Sequence, residues 1–331
     1  MTRFITMIKK NMKEHPVRII LASLCVLLFI GITVWNSSAP VPIHNRNQRE
    51  LSRITVADPN DYSFAVMGDN KGNRSVFEPL LRDIGRDKEI AFAIDDGDLV
   101  DKGTVGHYRQ FLSQVQENLS IPFLTAIGNH DLDNDGSHNN YQDIFGPTYY
   151  SFQVGQGYFI VLDAITEAGF DKSERQWLEQ ELQRGQAAKA RFVFMHVPVF
   201  DPRGGPFHKA LPDKDQMDLL NLFRRYKVTH LFASHLHGYF SGMQAGVPYT
   251  VTGGAGGYLQ GKEPEHFFYH YVKVHLRNGK AEVTVRRIDA ERGATYFFEL
   301  MEDYVIRWVL LLAAGILLLS LALSKRVKSR S

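Results

Sequence analysis

The feature that most constrains the fold is a repeated unit, a short apolar segment followed at once by a small polar loop. The apolar segments are 63–67, 90–94, 122–127, 191–195 and 229–233. The loops carry Asp69, Asp98, Asn129 with His130, His196, and His235 with His237. Short apolar runs bounded by turn residues are typical of buried strands. Helical periodicity at 75–86, 105–117 and 214–226 separates them, so the pattern predicts an α/β sheet.

The remaining segments predict further strands, most of them antiparallel. We predict a pair of strands at 150–154 and 158–162, followed by a helix that we expect Ser173 to cap. Two strand-like runs, 269–276 and 281–288, flank Asn278-Gly279, a strong hairpin signal. With a strand at 247–252, the sequence predicts a mixed-sheet sandwich with helices outside.

The polar loops converge if the fold is of this kind, because ligands bind beyond the carboxyl ends of strands in α/β sheets. Each loop alone has an ordinary explanation, such as a Gly-Asp turn or surface histidines. Their common position after five strands favours a shared site. Carboxylate, amide and imidazole groups suit Mn, Fe or Zn. There are too many for one structural zinc, and the set fits a hydrolytic site with two divalent metal ions.

The motifs resemble those of the calcineurin-like metallophosphoesterases over about residues 62–257. The matching motifs are Gly68-Asp69, Gly97-Asp98, Gly128-Asn129-His130-Asp131, His196 and His235-Leu236-His237. The resemblance implies a four-layer α/β/β/α sandwich with a metal pair at one edge of the sheets. It also implies hydrolysis of a phosphomonoester or phosphodiester by a metal-bridging hydroxide.

The resemblance implies a role for each matched residue. Asp98 would bridge the two metal ions. The other ligands would be Asp69 and His237 on the first ion, and Asn129, His196 and His235 on the second. His130 would contact the substrate and protonate the leaving oxygen, and Asp131 would orient the His130 imidazole. Positive charge from the ions would stabilise phosphoryl transfer.

The chain departs from the family pattern at three positions. The first motif usually reads Asp-x-His, with the histidine as a ligand, but Lys71 stands there. A protonated lysine cannot bind metal, so we expect Lys71 to contact the substrate phosphate. Ser234 replaces the usual glycine of the last motif. Asp101 stands where purple acid phosphatases have a tyrosine ligand, which argues against a ferric charge-transfer centre.

Two long apolar runs lie near the ends of the chain, at 17–35 and 305–323. About 19 helical residues reach roughly 28 Å, close to the thickness of the hydrocarbon core of a bilayer. The alternative for the first run is a cleaved signal peptide, because Ser37-Ser38-Ala39 offers a small-residue cleavage site. We expect an uncleaved transmembrane helix in each run.

Charge predicts the orientation in the membrane. Basic residues are concentrated at the two ends of the chain. Nine of the 38 basic residues, but one of the 36 acidic residues, lie in the tails 1–16 and 324–331 or at Arg18, at the start of the first run. By the positive-inside rule both tails are cytoplasmic. The linker 36–60 and the catalytic domain 61–300 would then lie outside the cytoplasm. All residues between the two tails other than Arg18 include 29 basic and 35 acidic ones, a net charge of −6, so we expect no nucleic acid partner.

Two functions remain open at this point. The first is a membrane-anchored metal-dependent phosphoesterase, whose anchors would favour a lipid-linked phosphate as substrate. The second is a catalytically weak relative that binds phosphorylated envelope or lipid molecules, which only Lys71 favours. His130 and Asp131 favour the first, because a binding protein needs no proton donor. The glycine-rich run Gly253–Gly257 is interpreted as a loop beside the site.

Overall fold

The computed structural model describes residues 16–38, 44–165, 171–204, 210–290 and 309–317. The chain forms two compact units, one of residues 1–40 with 293–331, and one of residues 41–292. The larger unit holds all eleven strands of the described part of the chain.

The strands agree with the sequence prediction to within two residues at each end, except that one strand was missed. They are β1 Asp61–Met67, β2 Ile90–Asp95, β3 Phe123–Thr125, β4 Tyr150–Val154, β5 Gly157–Val161, β6 Ala190–Phe194, β7 His230–Ala233, β8 Tyr239–Gln244, β9 Val247–Thr252, β10 His270–Arg277 and β11 Lys280–Arg287. The helices of this unit are Arg46–Leu51, Arg74–Arg86, Val105–Asn118, Asn139–Phe145, Lys172–Arg184 and Asp213–Arg225.

The strands form two sheets. The first has the order β11-β10-β1-β2-β3, and the second has the order β4-β5-β6-β7-β9-β8. Strands β1, β2 and β3 are parallel, as are β5, β6, β7 and β9. The other strands add antiparallel edges, with β10 and β11 joined by the predicted hairpin at Asn278 and Gly279. Both turn residues have positive φ, 51° and 82°, as a tight hairpin requires.

Three hydrophobic clusters separate the layers. A cluster rich in phenylalanine fills the space between the two sheets, where Phe64 stacks on Phe92 and meets Phe159 and Phe192 edge-on. A second cluster joins the first sheet to the helices Arg74–Arg86 and Val105–Asn118. A third joins the second sheet to the helices Lys172–Arg184 and Asp213–Arg225. The mixed α/β sandwich with two sheets is thus confirmed, in the order helix, sheet, sheet, helix.

The strand directions explain how the site forms. Parallel strands β1, β2 and β3 of one sheet, and β6 and β7 of the other, end in the loops that carry the predicted ligands. Loop contacts bring these ends together across the two sheets. For example, the His235 N–H after β7 donates to the Asp69 carboxylate after β1 at 2.6 Å. The site therefore lies at one edge of the sandwich.

The segment 36–60 is not simply a linker. It contains the helix Arg46–Leu51, whose Asn47 side chain is buried and donates to the Thr125 carbonyl at 3.2 Å. The helix thus docks on the end of β3. The expected cap of the helix at 172 was also wrong, because Asp171, not Ser173, accepts the Glu174 N–H at 2.7 Å.

The smaller unit contains the helix Pro16–Ser38 and helical residues 309–317. Several of its apolar side chains are exposed, among them Val17, Leu27 and Leu312. Within the residues that the structure describes, no helix combines the length and the apolarity that a membrane span needs. The predicted tails 1–16 and 324–331, and much of the run 305–323, lie outside the described residues, apart from Pro16.

Candidate metal centre

Four predicted ligands converge on one point and form what we call the four-donor cluster, Asp98, Asn129, His196 and His235. The His196 Nε2 atom lies 3.0 Å from Asn129 Oδ1, 3.2 Å from His235 Nδ1 and 3.3 Å from Asp98 Oδ1. Asp98 and His196 are buried, with 1% and 0% exposure. The structure thus brings together residues from four separate loops.

The orientation of His196 is fixed from behind. Its Nδ1 atom lies 3.0 Å from the Asp96 carbonyl oxygen, which can only accept, so Nδ1 carries the proton of the neutral imidazole. The Ser234 hydroxyl lies 2.9 Å from the same nitrogen and donates to the Asp96 carbonyl at 2.8 Å. The Nε2 lone pair therefore points into the cluster. The serine that replaces the usual glycine supports a ligand.

Asp69 and His237 form a second group beside the first. The His237 Nε2 atom lies 3.2 Å from Asp69 Oδ1, and its Nδ1 atom donates to the Tyr258 carbonyl at 2.6 Å. The other Asp69 oxygen accepts the His235 N–H at 2.6 Å, which ties this group to the four-donor cluster. One donor atom each of Asp69, Asp98 and His196 lie within 4.8 Å of one another. All six predicted metal ligands therefore occupy one site.

The electrostatics of the site keep Asp69 ionised. Its complete burial would raise the pKa of the carboxyl, but the contact with the His237 imidazole, together with the nearby His196 imidazole and the Lys71 ammonium, outweighs burial and holds that pKa below its usual range. Neighbouring Asp96 behaves in the opposite way. Burial and the charges of Asp95 and Asp69 raise the pKa of Asp96, whose carboxyl oxygens have no hydrogen-bond partner among the residues that the structure describes. Asp96 supports the site through its backbone carbonyl, which faces the His196 Nδ1 atom at 3.0 Å.

Backbone strain is concentrated at the site. Nine described non-glycine residues have positive φ, and the five at the site are Asp69 (59°), Lys71 (49°), Asp98 (57°), His235 (70°) and His237 (41°). Each such residue costs about 1–3 kcal/mol and persists where surrounding contacts determine the conformation. Such outliers cluster at functional sites, which agrees with a role for these residues in binding.

Two glycines allow the loops of Asp98 and Asn129 to touch. A Cβ atom at Gly128 would lie 2.1 Å from the Asp98 backbone nitrogen, and one at Gly97 would lie 2.7 Å from the Gly128 nitrogen. No side chain fits there. The glycine-rich run Gly253–Gly257 also lies at the site, as predicted, and the Gly257 N–H donates to the Asp69 carbonyl at 2.6 Å.

Lys71, predicted to face the substrate, lies against the predicted bridging ligand. Its Nζ atom is 3.3 Å from Asp98 Oδ2, and the lysine side chain is 9% exposed. The ion pair lies on the side of Asp98 opposite to the oxygen that faces His196. The ammonium thus neutralises part of the buried negative charge of Asp69 and Asp98.

His130 lies at the mouth of the site. Its Nε2 atom is 4.0 Å from Asp98 Oδ2, and its side chain is 36% exposed, so the imidazole faces both the carboxylate and the solvent. The Nδ1 atom lies 2.9 Å from the Asp101 carbonyl oxygen, and this contact orients the ring. A group in this position can donate a proton to a bound ester.

The predicted pairing of Asp131 with the His130 imidazole was wrong. The Asp131 carboxylate is completely buried and accepts three backbone N–H groups, from Gly128 at 2.8 Å, Val100 at 3.2 Å and Leu99 at 3.3 Å. It therefore holds the loops of Asp98 and Asn129 together rather than acting on the imidazole. Backbone acceptors such as the Asp101 carbonyl have no signature in a sequence, so the orienting contact could not be foreseen.

The donor set fits a divalent cation. In the four-donor cluster, an imidazole lone pair, an amide oxygen and a carboxylate oxygen face one another, and acceptors at such distances repel unless a cation lies between them. Two carboxylates, an amide and three imidazoles suit borderline metals such as Mn, Fe or Zn. The chemistry of the residues thus agrees with a metal centre.

Comparisons with known proteins identify relatives of this architecture. A family model described as calcineurin-like phosphoesterase matches residues 62–239, more than half of the chain. The chain is 28% identical to the serine/threonine-protein phosphatase CPPED1 of Rattus norvegicus over 151 residues, which cover 41% of this chain and 48% of that protein. It is also 28% identical over 190 residues to a probable cyclic nucleotide phosphodiesterase of Rhodopseudomonas palustris, covering 50% and 64%.

Solved structures share the fold. A purple acid phosphatase from yellow lupin seeds superposes with a TM-score of 0.55 at 17% identity, covering 69% of this chain and 51% of that one. The chain spans about half the length of the rat relative. The matched part includes every loop of the metal centre up to His237.

Proposed function

The chain belongs to the calcineurin-like phosphoesterase family, and we propose that it hydrolyses a phosphomonoester or phosphodiester with the help of bound divalent metal. The observation that carries the proposal is the four-donor cluster, in which the His196 Nε2 atom faces oxygen and nitrogen acceptors at 3.0–3.3 Å. Relatives with phosphatase and phosphodiesterase names support the same activity.

The residues of the cluster would hold the metal. Asp98, Asn129, His196 and His235 would bind one ion, which would supply positive charge to the phosphoryl oxygens and acidify water. A second ion, as the family resemblance implies, would use Asp69, His237 and the Asp98 Oδ2 atom. The Lys71 ammonium lies against the last of these atoms, at 3.3 Å.

His130 would complete the reaction. Its partly exposed imidazole lies beside the cluster, with Nε2 4.0 Å from Asp98 Oδ2. The proton of Nδ1 is held by the Asp101 carbonyl at 2.9 Å, which leaves Nε2 for exchange with the substrate. The imidazole would donate its Nε2 proton to the leaving oxygen. This group favours hydrolysis over binding alone.

The test is an assay of the full chain on two aryl esters, p-nitrophenyl phosphate and bis-p-nitrophenyl phosphate, with and without Mn²⁺. We expect Mn²⁺-dependent release of nitrophenol, and the preferred ester separates a monoesterase from a diesterase. His196→Ala should abolish it. His275→Ala is the matched control, because His275 lies on β10 and pairs with Asp61 away from the site. Absence of turnover with Mn²⁺, Fe²⁺ or Zn²⁺ would favour the binding protein.

We propose that the runs 17–35 and 305–323 anchor the chain in a membrane, with both termini cytoplasmic and the catalytic domain outside. The even apolarity of both runs and the basic tails support this. The helix Pro16–Ser38 also supports the membrane anchor, because its apolar side chains are exposed and such surfaces mark contacts with a membrane or another protein. An anchored active site favours a substrate at the bilayer, such as a lipid-linked phosphate.

A further inference from the structure

Lys71 occupies the position where the family resemblance places a histidine ligand of the first ion. Its ammonium contacts the Asp98 Oδ2 atom at 3.3 Å, the oxygen that a first ion would need. The opposite oxygen, Oδ1, faces His196 at 3.3 Å in the four-donor cluster. The two oxygens of the predicted bridge thus serve two different cations, the lysine and the proposed metal.

The lysine is held in this position by its backbone. Its N–H donates to the Asp98 carbonyl at 2.9 Å, and its φ is 49°. On one side, the Asn70 amide donates to Asp95 at 2.8 Å and its oxygen accepts the Gly72 N–H at 2.9 Å. On the other side, Gln114 donates to the Gly72 carbonyl at 2.9 Å. With 9% of its side chain exposed, the lysine is part of the packed site rather than a solvated residue.

Charge opposes a second ion beside this lysine. An ion bound to the Asp98 Oδ2 atom would lie about 2 Å from that oxygen, and so within roughly 5 Å of the ammonium. Repulsion between a dication and an ammonium at that distance weakens binding by roughly a thousandfold or more. Of the six predicted ligands, Asp69 and His237 alone remain for the first position, so an ion there would have fewer side-chain donors than an ion in the four-donor cluster.

We propose that the Lys71 ammonium takes the place of the first metal ion, so that the centre holds one divalent ion per chain. This rests on the proposed function. The lysine then supplies a fixed positive charge to the phosphoryl group, while the single ion is held by the four-donor cluster. An ammonium also donates up to three hydrogen bonds, so an N–H that does not face Asp98 can bind a phosphoryl oxygen directly.

The number of ions tests the proposal independently of activity. Equilibrium dialysis of the full chain against Mn²⁺, followed by elemental analysis, should give one ion per chain. Electron paramagnetic resonance of the bound Mn²⁺ should show an isolated ion without spin coupling. Lys71→His restores the usual ligand and should raise the content toward two ions per chain, with a spin-coupled signal.

Kinetics test the charge of the lysine. Lys71→Met keeps the length of the side chain without its charge, and should lower kcat/KM by about a hundredfold or more while one ion remains bound. Lys71→Arg should retain more activity than Lys71→Met. Lys88→Met is the matched control, because Lys88 is exposed and donates to the Gly85 carbonyl away from the site, so it should leave kcat/KM unchanged.

The outcomes separate this proposal from the proposed function. Two coupled ions in the wild-type protein, together with hydrolysis, would overturn the role of Lys71 and leave the proposed function intact. Unchanged kcat/KM in Lys71→Met, or no gain of metal in Lys71→His, would overturn it as well. A wild-type protein that binds no metal and hydrolyses no ester would instead refute the proposed function.

Discussion

The His196 Nε2 atom and the Asp98 Oδ1 atom face each other at 3.3 Å, although both are acceptors when the imidazole is neutral. The proton of His196 is on the other nitrogen, where the Asp96 carbonyl accepts it, and Asp98 Oδ1 already accepts the His130 N–H at 2.9 Å. A buried arrangement of this kind is stable when a cation lies between the acceptors. The Asp96 carbonyl behind His196 thus orients the imidazole so that Nε2 faces the cluster, as a metal ligand would require.

His130 should matter for the leaving group rather than for metal binding. His130→Gln should lower kcat by about a hundredfold or more for phenyl phosphate, whose leaving oxygen needs a proton. The loss should be smaller for p-nitrophenyl phosphate, because nitrophenolate leaves without one. Steady-state kinetics on both esters measure the difference, and metal content should stay at the wild-type value. An equal loss on both esters would contradict the role of proton donor.

Asp131 should matter for stability. Asp131→Ala leaves three buried N–H groups without their acceptor, so it should lower the free energy of unfolding by about 3 kcal/mol or more. Urea unfolding in the presence of a chelator measures this without a contribution from metal. Asp135→Ala, at an exposed aspartate of the following loop, is the control. Unchanged stability with a large loss of kcat would instead restore the catalytic role expected from the sequence.

Glu174 should make stability depend on pH. Burial raises the pKa of this carboxyl from 4.5 to about 8, while its oxygen accepts the Asp163 N–H at 2.7 Å. The folded protein therefore keeps a proton that the unfolded chain loses between these values. Stability should fall as pH rises from 4.5 to about 8, because the unfolded state binds fewer protons.

Glu174→Gln removes this proton exchange and keeps an oxygen acceptor. Relative to the variant, the wild-type free energy of unfolding should fall by on the order of 2–4 kcal/mol between these pH values. Urea unfolding at both ends of the window measures it. Glu179→Gln, on the exposed face of the same helix, should follow the wild type. If the free energy of unfolding of wild type and of Glu174→Gln changed with pH in the same way, the predicted effect of Glu174 would be ruled out.

The proposed orientation in the membrane can be tested by labelling cysteines introduced at chosen positions. Cys25 is the sole cysteine of the chain, so Cys25→Ser gives a background without thiols. In intact cells, an impermeant maleimide should label cysteines introduced at Ser37 and Glu302. A cysteine at Lys328 should react only after permeabilisation. Labelling of Lys328→Cys in intact cells, with protection of the other two, would reverse the proposed orientation.

The strands could be predicted where the sequence shows a short run of apolar residues. Strands such as β1 and β2 are buried on both faces, so each appears in the sequence as an apolar run. Strand β8 was missed because Ser241, Gly242 and Gln244 lie on an exposed edge. The helix Arg46–Leu51 was missed because its buried side chains are polar, Arg46, Asn47 and Glu50, and it is stabilised by tertiary contacts.

The ligands of the site were predictable, but their supports were not. Asp98, Asn129 and His196 follow apolar runs in a pattern visible in the sequence. The supports are backbone carbonyls, such as those of Asp96 and Tyr258, and any residue can supply one. The contact of Lys71 with Asp98 likewise depends on a left-handed backbone turn that residue types alone do not specify.

The central claim, hydrolysis by a metal held at Asp98, Asn129, His196 and His235, is tested most directly by removing the metal. The full chain is treated with a chelator, shown by elemental analysis to be metal-free, and assayed on an aryl phosphate before and after titration with Mn²⁺. We predict no turnover without metal and recovery in proportion to bound metal, with Asp98→Asn recovering about a thousandth or less of the wild-type rate. Full turnover by the verified metal-free protein would contradict the account.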